Sequence, residues 1–98
     1  MLIRKRPDVV PATLTVKGQG EDFKFNITYR NKRADEVQAV IDTAADSESV
    51  VIDLVSEWES EYPLTHAGIA EMEADRPGMI VAILIGFHEA RRVERVKN

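Results

Sequence analysis

Hydrophobic and polar residues alternate in two stretches near the start of the chain. Over residues 12–17, Ala12, Leu14 and Val16 fall on one side and Thr13, Thr15 and Lys17 on the other. Over residues 22–30 the alternation sharpens, with Phe23, Phe25, Ile27 and Tyr29 against Lys24, Asn26, Thr28 and Arg30. A period of two rich in aromatic and β-branched residues predicts two half-buried strands. The stretch GQGED between them reads as a short glycine-bearing hairpin loop. A lone hairpin is marginal in water, so its apolar face needs a cover.

That cover is expected to be helical, because the period changes after Arg30. Val37, Val40, Ile41 and Ala44 lie at i, i+3, i+4 and i+7, one face of a helix. ADSE interrupts the pattern and offers Asp46 or Ser47 as the next N-cap. Val51, Leu54, Val55 and Trp58 repeat the helical spacing, which predicts a second helix reaching Trp58. SEYP should end it, since Pro63 biases Tyr62 away from helical geometry. Thr65 suits the N-cap of a short helix from His66 to about Ala74, with Ile69 and Met72 inward and Gly68 as its weak point. Pro77 suits the first position of a last helix running to about Val96. The expected fold is α+β: an N-terminal antiparallel β-hairpin packed on a small bundle of about four helices. One domain is expected, with residues 1–10 as a flexible arm, 12–30 as the hairpin and 33–97 as the helical part.

The last segment, PGMIVAILIGFHEARRVERVKN, has two halves. Met79 to Phe87 are nine residues without a charged or polar side chain. Ile80, Ile83, Leu84 and Phe87 form one stripe, while Val81 and Ile85 lie elsewhere on the circumference. Nine residues are about half of the roughly 20 that span a bilayer, so a membrane anchor is excluded on length. An interfacial helix needs a polar face along its whole length, and the first half has none. The expectation is a buried helix, or a buried helix with a surplus face for a partner, and any such face is expected at Val81, Ile85 or Phe87. The second half is a cationic handle in which Arg91, Arg92, Arg95 and Lys97 suit the negative end of the helix dipole.

Charge changes the picture more than composition does. The chain of 98 residues has net charge −4, but residues 1–33 carry +5, residues 34–75 carry −12 without a single Lys or Arg, and residues 76–98 carry +3. Such blocks pair within one molecule, between copies, or with a charged partner, so self-association is one expectation. The acidic balance argues against nucleic acid, whose usual binder is a basic domain. The absence of cysteine excludes disulfides and thiolate metal sites. The opening MLIRKRPDVVP has no apolar run behind its basic patch and does not read as a secretory signal.

No enzymatic chemistry is visible. His66 and His88 lack the spacing that places two ligands on one helical face, so no metal and no cofactor is expected. No nucleophile elbow and no phosphate-binding glycine loop occurs, since GQG precedes a strand. Trp58 and Tyr62 flank the acids of WESEY; the helical spacing makes Trp58 a core residue, and the alternative places one or both rings at a rim as partner anchors.

The order of these signals is distinctive. A basic arm precedes a hairpin whose second strand reads FKFNITYR; then come a helix opened by ADEV, the stretch VVIDLVSEW, PLT before a further helix, a proline-led apolar helix and the ending ARRVERVKN. This order resembles that of the small tail assembly chaperones of long-tailed phages and prophages, most clearly from about Phe23 to Asn98. Two positions depart from the pattern. Arg33 stands where relatives carry a capping Thr or Ser three residues before Glu36, so that cap is missing or supplied by Asn31. Glu59 follows Trp58 where relatives tend to carry Asp. The resemblance implies a non-enzymatic protein of the bacterial host cytoplasm, left out of the mature virion. Its implied partner is the apolar tape measure protein, and its implied task is to keep that protein soluble while the major tail tube protein polymerises around it. Many such families make a second, longer product by a programmed frameshift near the end of the gene, for which the codons of Lys97 and Asn98 are the place to look. The alternative expectation is a small non-enzymatic structural component of the phage, or a cytosolic adaptor. The residues expected to meet a partner are Trp58, Tyr62, Val81, Ile85, Phe87, Arg91, Arg92 and Arg95.

Overall fold

A computed structural model describes residues 1–96. Lys97, the last residue of the expected helical part, and Asn98, which closes the ending ARRVERVKN, lie outside the described residues. The fold is α+β, and its elements run β1 (Val9–Gly18), β2 (Glu21–Arg30), α1 (Ala34–Thr43), α2 (Ser47–Leu54), β3 (Val55–Trp58), α3 (His66–Asp75) and α4 (Met79–Arg91).

The hairpin forms as the alternation predicts, and is longer at both ends. β1 and β2 pair antiparallel from Val9–Arg30 to Gly18–Glu21. The loop shrinks to Gln19 and Gly20, whose φ values of 54° and 80° match the tight turn whose twist suits a hairpin. The arm is correspondingly shorter than expected. Asn31 holds its end: its backbone N–H donates to the Asp8 carbonyl at 2.9 Å and its side-chain amide to the Pro7 carbonyl at 2.8 Å.

The second helix is a correction. α2 stops at Leu54, and Val55 to Trp58, expected to complete its last turn, form a third strand on the free side of β2. Ile27 pairs with Trp58, Thr28 with Glu57 and Tyr29 with Val55, with a bulge at Ser56. Helical spacing and a bulged strand put the same side chains inward here. The ladder wins because β2 would otherwise keep one edge of its Phe25–Tyr29 segment unbonded, and a β-branched residue and an indole suit a strand. The Glu59 N–H extends the pairing to the Asn26 carbonyl at 3.0 Å. β2 is therefore the central strand of the order β1-β2-β3.

The helix ends follow local chemistry. Asp46 caps α2 by accepting from the Ser49 N–H at 2.9 Å, and Thr65 caps α3 by accepting from the Gly68 N–H at 3.1 Å. α1 uses half a capping box: Glu36 accepts from the Arg33 N–H at 2.9 Å, and arginine has no acceptor to return the bond. Asn31, offered as an alternative cap, is engaged with the arm instead. α4 starts later than expected. Pro77 and Gly78 form a turn closed by the Met79 N–H on the Arg76 carbonyl at 3.2 Å, with Gly78 at φ 99°. The Glu73 carboxylate then takes the Gly78 and Ile80 N–H groups at 2.8 and 2.9 Å, a cap lent by the preceding helix. α4 also ends earlier, at Arg91; beyond it Val93 and Val96 stay exposed, so no packing holds a further turn.

The core joins Ile27 and Tyr29 of β2, Val51 and Leu54 of α2, Ile69 and Met72 of α3, and Ile80, Ile83 and Phe87 of α4. Tyr29 and Phe87, both fully buried, meet edge to face at 5.5 Å.

Candidate functional site

α4 carries two of the exposed large aliphatic side chains that lie outside the chain ends. Ile80, Ile83 and Phe87 turn inward, which leaves Val81 58% and Ile85 53% exposed, one helical turn apart. Both are among the residues at which a surplus face is expected, and both side chains are exposed. Phe87 is a correction: it is 0% exposed, wedged against Tyr29, so it supports the surface without touching a partner. Its position four residues after Ile83 puts it on the buried stripe rather than beside Ile85.

The C-terminal arginines separate into two roles. Arg91 is half-buried and belongs to the fold. Its guanidinium lies 4.5 Å from the centre of the Phe87 ring, donates to the Lys32 carbonyl, and reaches the Asn31 side-chain oxygen at 3.2 Å. Burial, and then the positive charge of Arg6, lower its pKa. Arg6 itself donates to the Asn31 carbonyl and pairs with Glu36 at 3.8 Å. The arm, the end of β2 and the end of α4 thus gather their cations around Asn31. Arg92, which pairs with Glu94, and Arg95 are exposed.

Trp58 and Tyr62 are both half-buried, between the two roles foreseen for them. The Trp58 indole N–H donates to the Tyr62 carbonyl at 3.0 Å and its ring meets Phe25 edge to face at 6.4 Å. The Tyr62 hydroxyl donates to Asp75 at 2.7 Å, which raises the phenol's pKa. Together they tie the chain after β3 onto the hairpin and α3.

Two open grooves lie on either side of Phe23 and Met79. One, of about 360 Å³, runs between the hairpin end and the start of α4, with Val16, Phe23, Met79 and Ala82 among its walls. The other, of about 170 Å³, is walled by Phe23, Phe25, Tyr62, Met72 and Met79. Arg76 lines both, its guanidinium 4.7 Å from the Phe23 ring centre and 3.5 Å from Glu21. The alternation of β2 marked Phe23 as apolar, but nothing in the sequence indicated that the turn at Pro77 and Gly78 would leave a groove beside it.

One polar cluster also escaped the sequence reading. His66 Nε2 lies 2.7 Å from the Asp46 carboxylate, and Glu48 joins them with ligand atoms all within 4.8 Å. Hydrogen bonds from Ser49 and then His66 hold the Asp46 carboxyl down to about 2, and the same contact raises the His66 pKa. The residues stand 20 positions apart, and only the packing of α2 on α3 joins them.

Among the described residues, no helix is long and apolar enough to cross a membrane. Comparison with protein-family models, with curated proteins and with solved structures gave no match to this chain.

Proposed function

We propose that this chain is a tail assembly chaperone of a long-tailed phage or prophage, which binds the tape measure protein and keeps it soluble while tail tube subunits polymerise. The observation that carries the reading is the exposed pair Val81 and Ile85 on a helix otherwise committed to the core. Two aliphatic side chains one turn apart match the stripe of an amphipathic or apolar client helix. The order of motifs along the chain supports the same reading. The segment of residues 34–75, with 12 acids and no Lys or Arg, supplies the charged exterior that keeps such an assembly dispersed. In this reading the protein is not an enzyme. It works in the host cytoplasm, is left out of the mature virion, and needs neither cofactor nor nucleic acid.

Co-expression with the tape measure protein of the same phage tests the proposal. The expected result is a clear gain in soluble tape measure protein and co-purification of the two. The double substitution Val81→Asp and Ile85→Asp should remove both effects while leaving the fold intact, since neither side chain is buried. No gain in solubility with the unaltered chain would overturn the reading.

A further inference from the structure

We propose that Asp46, Glu48 and His66 form a three-ligand site for a divalent transition-metal ion, with zinc as its simplest probe. This goes beyond the chaperone reading and does not depend on it. The cluster joins two helices: Asp46 is the N-cap of α2, Glu48 lies in its first turn, and His66 is the first residue of α3. One atom from each residue lies within 4.8 Å of the others. The donor set is one imidazole nitrogen and two carboxylate oxygens. Zinc accepts this set, whereas magnesium and calcium favour oxygen alone.

The local geometry needs little change to admit an ion. Zinc bonds of about 2.0–2.2 Å in a tetrahedron place neighbouring donors roughly 3.3 Å apart. His66 Nε2 and Asp46 Oδ2 stand at 2.7 Å, so that pair opens by a fraction of an ångström and Glu48 swings inward. The capping duty of Asp46 is untouched. Its Oδ1 takes the Ser49 N–H and hydroxyl at 2.9 and 2.7 Å, and only Oδ2 faces His66. Thr65 caps α3 independently of the cluster and fixes the residue that follows it.

Electrostatics favours a cation here. Among the described residues, neither Asp46 nor Glu48 pairs with a Lys or Arg, and Asp46 has only His66. With no Lys or Arg beside them, the two carboxylates outweigh the positive ends of the two helices, which by themselves disfavour a cation. The ion replaces the His66–Asp46 hydrogen bond with a chelate across the same gap, so binding clamps α2 to α3. The ligands sit at the surface, which leaves the remaining coordination position to water.

The test is zinc titration of the full chain, freed of metal by a chelator and followed by calorimetry and thermal unfolding. Zinc should bind one to one and raise the unfolding temperature, and magnesium at the same concentration should do neither. Glu48→Gln keeps the Asp46 cap and the contact with His66, yet should weaken zinc at least tenfold. His66→Ala should abolish binding, and His88→Ala should leave it unchanged. Absence of binding by the unaltered chain would overturn the proposal. So would unchanged affinity in Glu48→Gln or in His66→Ala, or an equal response to magnesium.

Discussion

The Tyr29 hydroxyl donates a hydrogen bond to the Ile83 carbonyl oxygen at 2.8 Å, inside the core. It fastens the central strand to the middle of α4, two elements 54 residues apart. The helix comes close enough because Gly86 faces the hairpin: a Cβ there would stand 2.8 Å from the Tyr29 oxygen and 2.4 Å from Leu14 Cδ2. Tyr29→Phe keeps the ring and its packing on Phe87 and removes only the hydroxyl. The expected loss is about 1 kcal/mol, the net worth of a typical intramolecular hydrogen bond. Urea unfolding of the two proteins measures it.

The same residue sets the response to alkali. Burial, and then the charge of Glu89, raise the Tyr29 pKa well above its ordinary 10.0. The folded state therefore keeps the phenolic proton after the unfolded state has released it. The contribution is fully present below pH 10 and is lost as pH rises from there toward the folded value. Stability should fall by about 1.4 kcal/mol per pH unit from this one group above pH ~10. Tyr29→Phe should remove that slope, so the two unfolding midpoints should converge as pH rises. A constant gap between them would refute the assignment.

Gly68 is the weak point of α3 by propensity, and its reason lies outside the helix. A Cβ at this position would stand 2.1 Å from the Pro63 carbonyl oxygen and 2.7 Å from its ring. The clash is with backbone, so no rotamer change relieves it. Gly68→Ala gains about 1 kcal/mol of helix propensity. It should nonetheless destabilise by roughly 2 kcal/mol, because overpacking forces Pro63 and α3 apart. Gly18→Ala, where nothing lies within 4 Å, should stay within about 0.5 kcal/mol of the parent. Thermal unfolding of both variants separates local crowding from a general intolerance of alanine.

What the sequence made legible was periodicity and local capping. The two strands, the Thr65 cap, the inward Ile69 and Met72, and the surplus face at Val81 and Ile85 all follow from spacing within a few residues. What it hid was long-range pairing. Val55 and Trp58 satisfy helical spacing and a bulged strand equally well, and only the free edge of β2 decides between them. The Glu73 cap on α4, the gathering of cations around Asn31 and the approach of His66 to Asp46 join residues whose proximity depends on the finished packing. Pro77 suggests the first position of the last helix and instead forms part of a turn, because Gly78 behind it takes the left-handed conformation and delays the helix.

The chain from Phe87 onward divides at Arg92. Phe87 fills the core beside Tyr29, so ending the chain after Gly86 removes a side chain whose loss alone costs about 3–5 kcal/mol. Against a total of roughly 5–15 kcal/mol for a domain, that truncation should abolish cooperative folding. Ending it after Ala90 keeps Phe87 but removes Arg91 with its contacts to Asn31 and Lys32. That chain should fold with a lower midpoint and a loosened arm, which limited proteolysis before Asp8 would reveal. Ending it after Arg92 keeps the contacts described above for α4, and the Arg92 N–H still closes on the His88 carbonyl at 3.0 Å. This longest truncation should unfold at the parent's midpoint. A shared midpoint for the chains ending at Ala90 and Arg92 would show that Arg91 is a surface handle like Arg92 and Arg95 and not a strut of the fold.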